Sequence, residues 1–145
     1  MKQDQHHLFV YGSLRKGFHH AAHEYICKYF SFVSNGKIKG MLNDMGEYPA
    51  ATATTEEHYI IGELYVINDE EEFGWAMEQL DEYEGLFPEE DEGEKALFRR
   101  EMTQVFLDNG DIRYAWVYWY NGDVSGKPVI ASGDVLQYLA EKYKQ

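Results

Sequence analysis

The sequence predicts an α+β fold: a strand-rich domain with two or three helices, whose sheet can partly close into a barrel. Three observations lead there. Aromatic residues make up 16% and hydrophobic residues 44% of the 145-residue chain, enough for a core rich in the large side chains that favour strands. Apolar, β-prone runs recur between Gly, Asn and Asp turn signals, while helical periodicity is confined to a few segments. Strands so often linked by short turns belong to an α+β class whose sheet can close on itself. The length fits one domain over residues 1–145, and no repeat, low-complexity tract or linker interrupts it.

Residues 7–11 form a short β-prone run stopped by Gly12, and residues 12–17 are a glycine-bounded loop carrying Ser13, Arg15 and Lys16. Residues 19–28 predict an amphipathic helix with Ala22, Tyr25 and Ile26 near one face. Residues 29–33 alternate aromatic and serine up to Asn35-Gly36, which predicts a hairpin returning over 37–42. Pro49 opens a threonine-rich stretch to Thr55 and suits a strand start or an edge. Residues 58–67 read as a long strand in which Gly62 marks a bulge or a close backbone approach. A helix is expected over 70–83, capped by Asp69 with Glu72 three residues on. After an acidic loop over 86–95, strands over 97–107 and 112–120 meet at Asn109-Gly110-Asp111. A last helix over 135–143 can take Ser132 or Asp134 as its cap.

The formal charge of −13 repels phosphate backbones and anionic bilayers, so neither nucleic acid nor membrane is an expected partner. The acidic runs 69–72 and 89–94 read as solvated faces or loops. A single cysteine, Cys27, permits no intrachain disulfide and sits in an apolar run as a buried, inert thiol. No apolar stretch is long enough to span a bilayer, and the first residues lack the apolar core of a secretory signal. The cytoplasm is the expected location.

Two segments suggest chemistry. In Tyr11-Gly12-Ser13-Leu14, a strand ending on glycine lets successive N–H groups turn outward and hold a carboxylate or oxyanion. No Gly-Lys-Ser/Thr follows, so it is not a phosphate loop. In the second segment, Phe73, Met77, Leu80 and Glu84 stand at i, i+4, i+7 and i+11 on one helical stripe. Glu84 would then be a carboxylate at the inner end of a helix, ahead of Gly85. Desolvation and the negative helix terminus would both push its pKa upward, toward that of a general base. The competing reading is a helix that frays first, leaving Glu84 in the acidic loop. Asp81 and Glu82 are expected to point elsewhere, into solvent.

Other residues take plainer readings. His19 and His23 share a helix face, but with no zincin-type glutamate among them and His20 an exposed polar face is favoured over a metal site. Trp75, Trp116 and Trp119 are expected in the core or at its rim. Arg99 and Arg100 should face opposite sides of a strand, one paired with acidic residues and one solvated. Tyr118 is a candidate pocket hydroxyl.

Phe9-Val10-Tyr11-Gly12-Ser13-Leu14-Arg15-Lys16-Gly17 resembles the opening signature of the gamma-glutamylcyclotransferase-like superfamily, which includes gamma-glutamylamine cyclotransferases and AIG2-like proteins. Tyr48-Pro49, Gly62-Glu63-Leu64-Tyr65, Leu80-Asp81-Glu82-Tyr83-Glu84-Gly85 and Phe98-Arg99-Arg100 resemble its later motifs, in family order. The resemblance implies a small mixed β-barrel with flanking helices and an enzyme that cyclises a gamma-glutamyl group to 5-oxoproline, releasing an amine or amino acid. It makes Glu84 the catalytic base. Tyr11, Gly12, Ser13, Leu14 and Tyr48, with Tyr118, are the expected substrate-binding residues. It implies no metal, no cofactor, a small-molecule partner, and a monomer or homodimer.

This chain departs from the pattern at Gly17-Phe18-His19-His20, where the family often has Asn-His. The acidic stretch 88–94 looks inserted, and Phe98 replaces a tyrosine. The alternative from another class is a non-catalytic small-molecule-binding or interaction domain of the same fold.

Overall fold

The computed structural model describes residues 6–12, 15, 21–46, 49–83 and 98–142. Its elements in chain order are β1 (His7–Val10), α1 (Ala21–Tyr29), β2 (Phe30–Lys39), β3 (Met41–Asp44), β4 (Pro49–Thr52) and β5 (Tyr59–Ile67). After them come α2 (Phe73–Tyr83), β6 (Phe98–Leu107), β7 (Ile112–Tyr120) and α3 (Val135–Lys142). Five strands close a barrel in the order β1-β5-β2-β6-β7. Closure is through a short parallel contact, Leu8 opposite Trp116, in an otherwise antiparallel sheet, so the barrel is mixed as expected. β3 and β4 form a separate antiparallel pair, and Pro49 begins β4, where a missing N–H does least harm.

Strand alternation divides the core into two layers. Phe9, Tyr11, Ile38, Ile60, Leu64, Val105, Val117 and Trp119 pack in one buried cluster with α3 against it. Leu8, Val10, Tyr65, Phe98 and Tyr118, from the alternate positions, pack with Ile26 of α1 and Ala76, Met77 and Leu80 of α2. Each such large side chain contributes roughly 1.5–3 kcal/mol on burial.

The expected hairpin at Asn35-Gly36 does not form. β2 runs straight through, with Asn35 opposite Glu63 and Gly36 opposite Gly62. Glycine at 36 serves close packing instead: a Cβ there would lie 3.0 Å from the Phe106 carbonyl oxygen of β6. Gly62 is a close approach too, since its Cβ would stand 2.3 Å from the Val10 carbonyl oxygen. The register irregularity lies in β2, between Phe32 and Ser34.

The second hairpin forms as expected, with β6 and β7 paired from Phe98–Tyr120 to Phe106–Ile112. Asp69 accepts from the Glu71 N–H, but the segment after it is a single 3-10 turn over Glu70–Glu72 before α2 begins. Asp134 caps α3 through the N–H groups of Leu136 and Gln137. Trp119 is buried, whereas Trp75 is half exposed, edge-on to Tyr29.

Candidate active site

The glycine loop leaves β1 at Tyr11, whose buried ring belongs to the inner core. Its hydroxyl donates to the Tyr118 carbonyl of β7 at 2.6 Å. The Arg15 N–H donates to the Gly12 carbonyl at 2.9 Å, which brings the two described residues of the loop together. A Cβ on Gly12 would lie 3.3 Å from Pro49 Cγ, tighter than ordinary packing, so glycine lets the start of β4 press on the loop. Ser13, Leu14 and Tyr48 lie outside the described residues, but their neighbours Gly12, Arg15 and Pro49 bring the two segments together.

Glu84 also lies outside the described residues, one position past the end of α2. What the structure places is the turn leading to it. Asp81, expected in solvent, is 4% exposed. Its carboxylate accepts two hydrogen bonds from Arg100, Nε to Oδ1 at 2.8 Å and Nη2 to Oδ2 at 2.9 Å. The Tyr118 hydroxyl donates to the same Oδ1 at 2.8 Å. The correction has a simple cause. The buried stripe of α2 is wide: Met77 and Leu80 lie along its middle, Ala76 marks one edge, and Asp81, i+8 from Phe73 and i+4 from Met77, marks the other. Glu82 is described only in its backbone.

Arg100 and Tyr118 are direct partners across β6 and β7, so both reach toward α2. The Arg100 guanidinium lies 4.8 Å from the Trp116 ring centroid. Burial pulls its pKa down, but the hydrogen bonds and charge of Asp81 outweigh that and leave it raised. Arg99 faces the other way, exposed and paired with Glu101, as strand alternation requires.

The family model for gamma-glutamyl cyclotransferase, AIG2-like proteins matches residues 8–137. The chain belongs to that family. A Methanocaldococcus jannaschii protein, provisionally named a gamma-glutamylcyclotransferase, is 30% identical over 133 residues, spanning 91% of this chain and 97% of the relative. The fold resembles Bacillus subtilis YkqA with a TM-score of 0.66 at 27% identity, covering 95% of this chain and 43% of YkqA. It also resembles an AIG2-like protein from Mus musculus, with a TM-score of 0.63 at 24% identity over 88% of this chain and 87% of the other.

One charged group in this family member went unread in its sequence. Arg15, at 7% exposure, donates from Nη1 to Asp134 at 2.9 Å and lies 3.6 Å from Glu63 by Nε. Glu63, at 3% exposure, accepts from the Tyr65 hydroxyl at 2.8 Å. A carboxylate inside the apolar run Ile60-Ile61-Gly62-Glu63-Leu64-Tyr65 was the available signal, because such a group must find partners.

Cys27 is exposed, not buried, with Sγ 3.2 Å from His23 Nε2 one helical turn back. His19 and His20 lie outside the described residues, and no metal-binding group of His, Cys, Asp or Glu occurs among the described ones. No helix among the described residues is long and apolar enough to cross a membrane.

Proposed function

We propose that the chain is a gamma-glutamylcyclotransferase that closes a gamma-glutamyl group to 5-oxoproline and releases an amine or amino acid. The observation that carries this reading is convergence. Three sequence-distant segments meet through Gly12 against Pro49, Tyr11 on Tyr118, and Tyr118 on Asp81. Those contacts link Tyr11, Gly12, Pro49 and Asp81, the described neighbours of Ser13, Tyr48 and Glu84 in the sequence, through Tyr118 of β7, which supports one shared site. Family membership supplies the reaction class.

In this reading the loop over Tyr11, Gly12, Ser13 and Leu14 holds the alpha-carboxylate and amino end of the glutamyl group through backbone N–H groups. Tyr48 lines the same pocket. Tyr118 gives its hydroxyl proton to Asp81, so toward substrate it offers an oxygen acceptor and a ring face. Glu84 takes a proton from the alpha-ammonium. The freed amine attacks the gamma-carbonyl, the new C–N bond closes a five-membered lactam, and the old C–N bond breaks as the proton passes to the leaving nitrogen. The nucleophile belongs to the substrate, so the protein supplies orientation, one base and oxyanion donors, and the reaction needs neither metal nor cofactor.

The test is 5-oxoproline release from a panel of gamma-glutamyl amines, amino acids and lysine isopeptides. Glu84→Gln should fold normally and lose about 10²–10⁴ in kcat, the share of a general base. A wild-type rate in Glu84→Gln would overturn the mechanism. A silent panel with retained binding of gamma-glutamyl compounds would favour a non-catalytic binding domain.

A further inference from the structure

We infer that Asp81 is a positioning residue for the general base: with Arg100 and Tyr118 it fixes the last turn of α2, from which the chain continues to Glu84. The effect on rate rests on the cyclotransferase reading; the anchor itself rests on geometry.

A helix end is weakly held by its own backbone, because its last carbonyls have no intrahelical partner. Here Gly85 follows within two residues, and the last turn of α2 has no basic side chain to interact with the helix terminus. What holds this turn is tertiary. The Asp81 carboxylate bridges adjacent strands, taking two parallel hydrogen bonds from Arg100 on β6 and one from Tyr118 on β7. A forked guanidinium–carboxylate pair fixes angle as well as distance, which a leucine in the same place would not.

The other end of Tyr118 matters equally. Its carbonyl receives the Tyr11 hydroxyl, so the glycine loop and the turn before the base are both referenced to one residue of β7. Among the described residues, the side-chain hydrogen-bond partners of Asp81 are Arg100 and Tyr118, and neither lies on that loop. Its action on chemistry would pass through the helix it orients, three residues before Glu84.

The experiment compares wild type, Asp81→Asn and Arg100→Lys, with Glu84→Gln as reference, below the melting temperature of the weakest variant. Asp81→Asn should lose amide-exchange protection in the last turn of α2. Its kcat should fall on the order of 100-fold while KM changes little, as for a base displaced by about an ångström. Arg100→Lys keeps the charge but loses the fork, and its kcat should fall about 10-fold by the same argument.

A merely structural role would lower the melting temperature and leave kcat per folded molecule at the wild-type value; that result overturns the proposal. If Asp81→Asn does not fold, Arg100→Lys decides alone on the same criterion. A wild type that releases no 5-oxoproline overturns the cyclotransferase reading separately. In that case lost exchange protection still supports the anchor, and unchanged protection overturns it.

Discussion

Two largely buried guanidinium–carboxylate pairs flank the candidate site, and they are built differently. At the end of α2, one carboxylate meets one guanidinium through two short hydrogen bonds, with a tyrosine hydroxyl as third partner. Behind the glycine loop, one guanidinium is shared by two carboxylates. Arg15 makes one short bond to Asp134, stands 3.6 Å from Glu63, and its Nε has no hydrogen-bond partner. Coulomb attraction survives such loose geometry, but orientation does not. The first anchor therefore sets an angle, and the second sets a neighbourhood. On the proposed reading, binding through backbone donors tolerates the looser geometry, whereas a base that must meet one proton needs the tighter one.

The largest effect should come from breaking the tight pair. Arg100→Met leaves Asp81 buried with its charge uncompensated, and should cost about 3–5 kcal/mol of folding free energy in urea denaturation. Against a total of roughly 5–15 kcal/mol for a domain, that is severe. Arg15→Met should cost less, about 2 kcal/mol, because Arg15 makes one short hydrogen bond where Arg100 makes two, and Asp134 is open to water on one side. If the order were reversed, contact geometry would not be what separates the two anchors.

The two anchors were also unequally legible. Arg100 and Arg99 follow strand alternation, so opposite faces and one acidic pairing could be expected from the sequence; Arg100 pairs with Asp81, while Arg99, though exposed, is paired too, with Glu101. Their acidic partner was hidden because a four-position stripe through Phe73, Met77, Leu80 and Glu84 is too narrow. The real buried arc also holds Ala76 and Asp81. Arg15 was legible only as a loop residue, since pairing with Asp134 depends on how α3 returns to the barrel, which no local pattern encodes. The strand-rich α+β class, the β6–β7 hairpin and the caps at Asp69 and Asp134 rest on local or periodic signals, and they came through; the closed barrel was implied by the family resemblance. Asn35-Gly36 misled for the opposite reason. A turn-forming pair was overridden by pairing with β5 and by close packing on β6.

Alkaline pH offers the gentlest probe of the difference, because one tyrosine joins α1 to α2 and another bonds to a carboxylate of the looser anchor. Tyr65 donates to Glu63, and its pKa is raised by burial first and by that carboxylate second. Tyr25 donates to the Ala76 carbonyl, joining α1 to α2, and burial, then Tyr29, push its pKa from 10.0 to about 12. Both shifts have the same sign. The unfolded chain loses these protons first, so their contribution is whole below pH 10; for Tyr25 it is lost as pH rises toward about 12. Tyr25→Phe should therefore be slightly less stable than wild type at pH 8, and the gap should narrow by pH 11 as the wild type loses its advantage. Urea melts at both values read the difference directly. A gap of constant size would mean that Tyr25 does not hold its proton more tightly in the folded protein. Tyr65→Phe should narrow in the same direction, and there the proton lost would set a phenolate against Glu63 within the looser anchor.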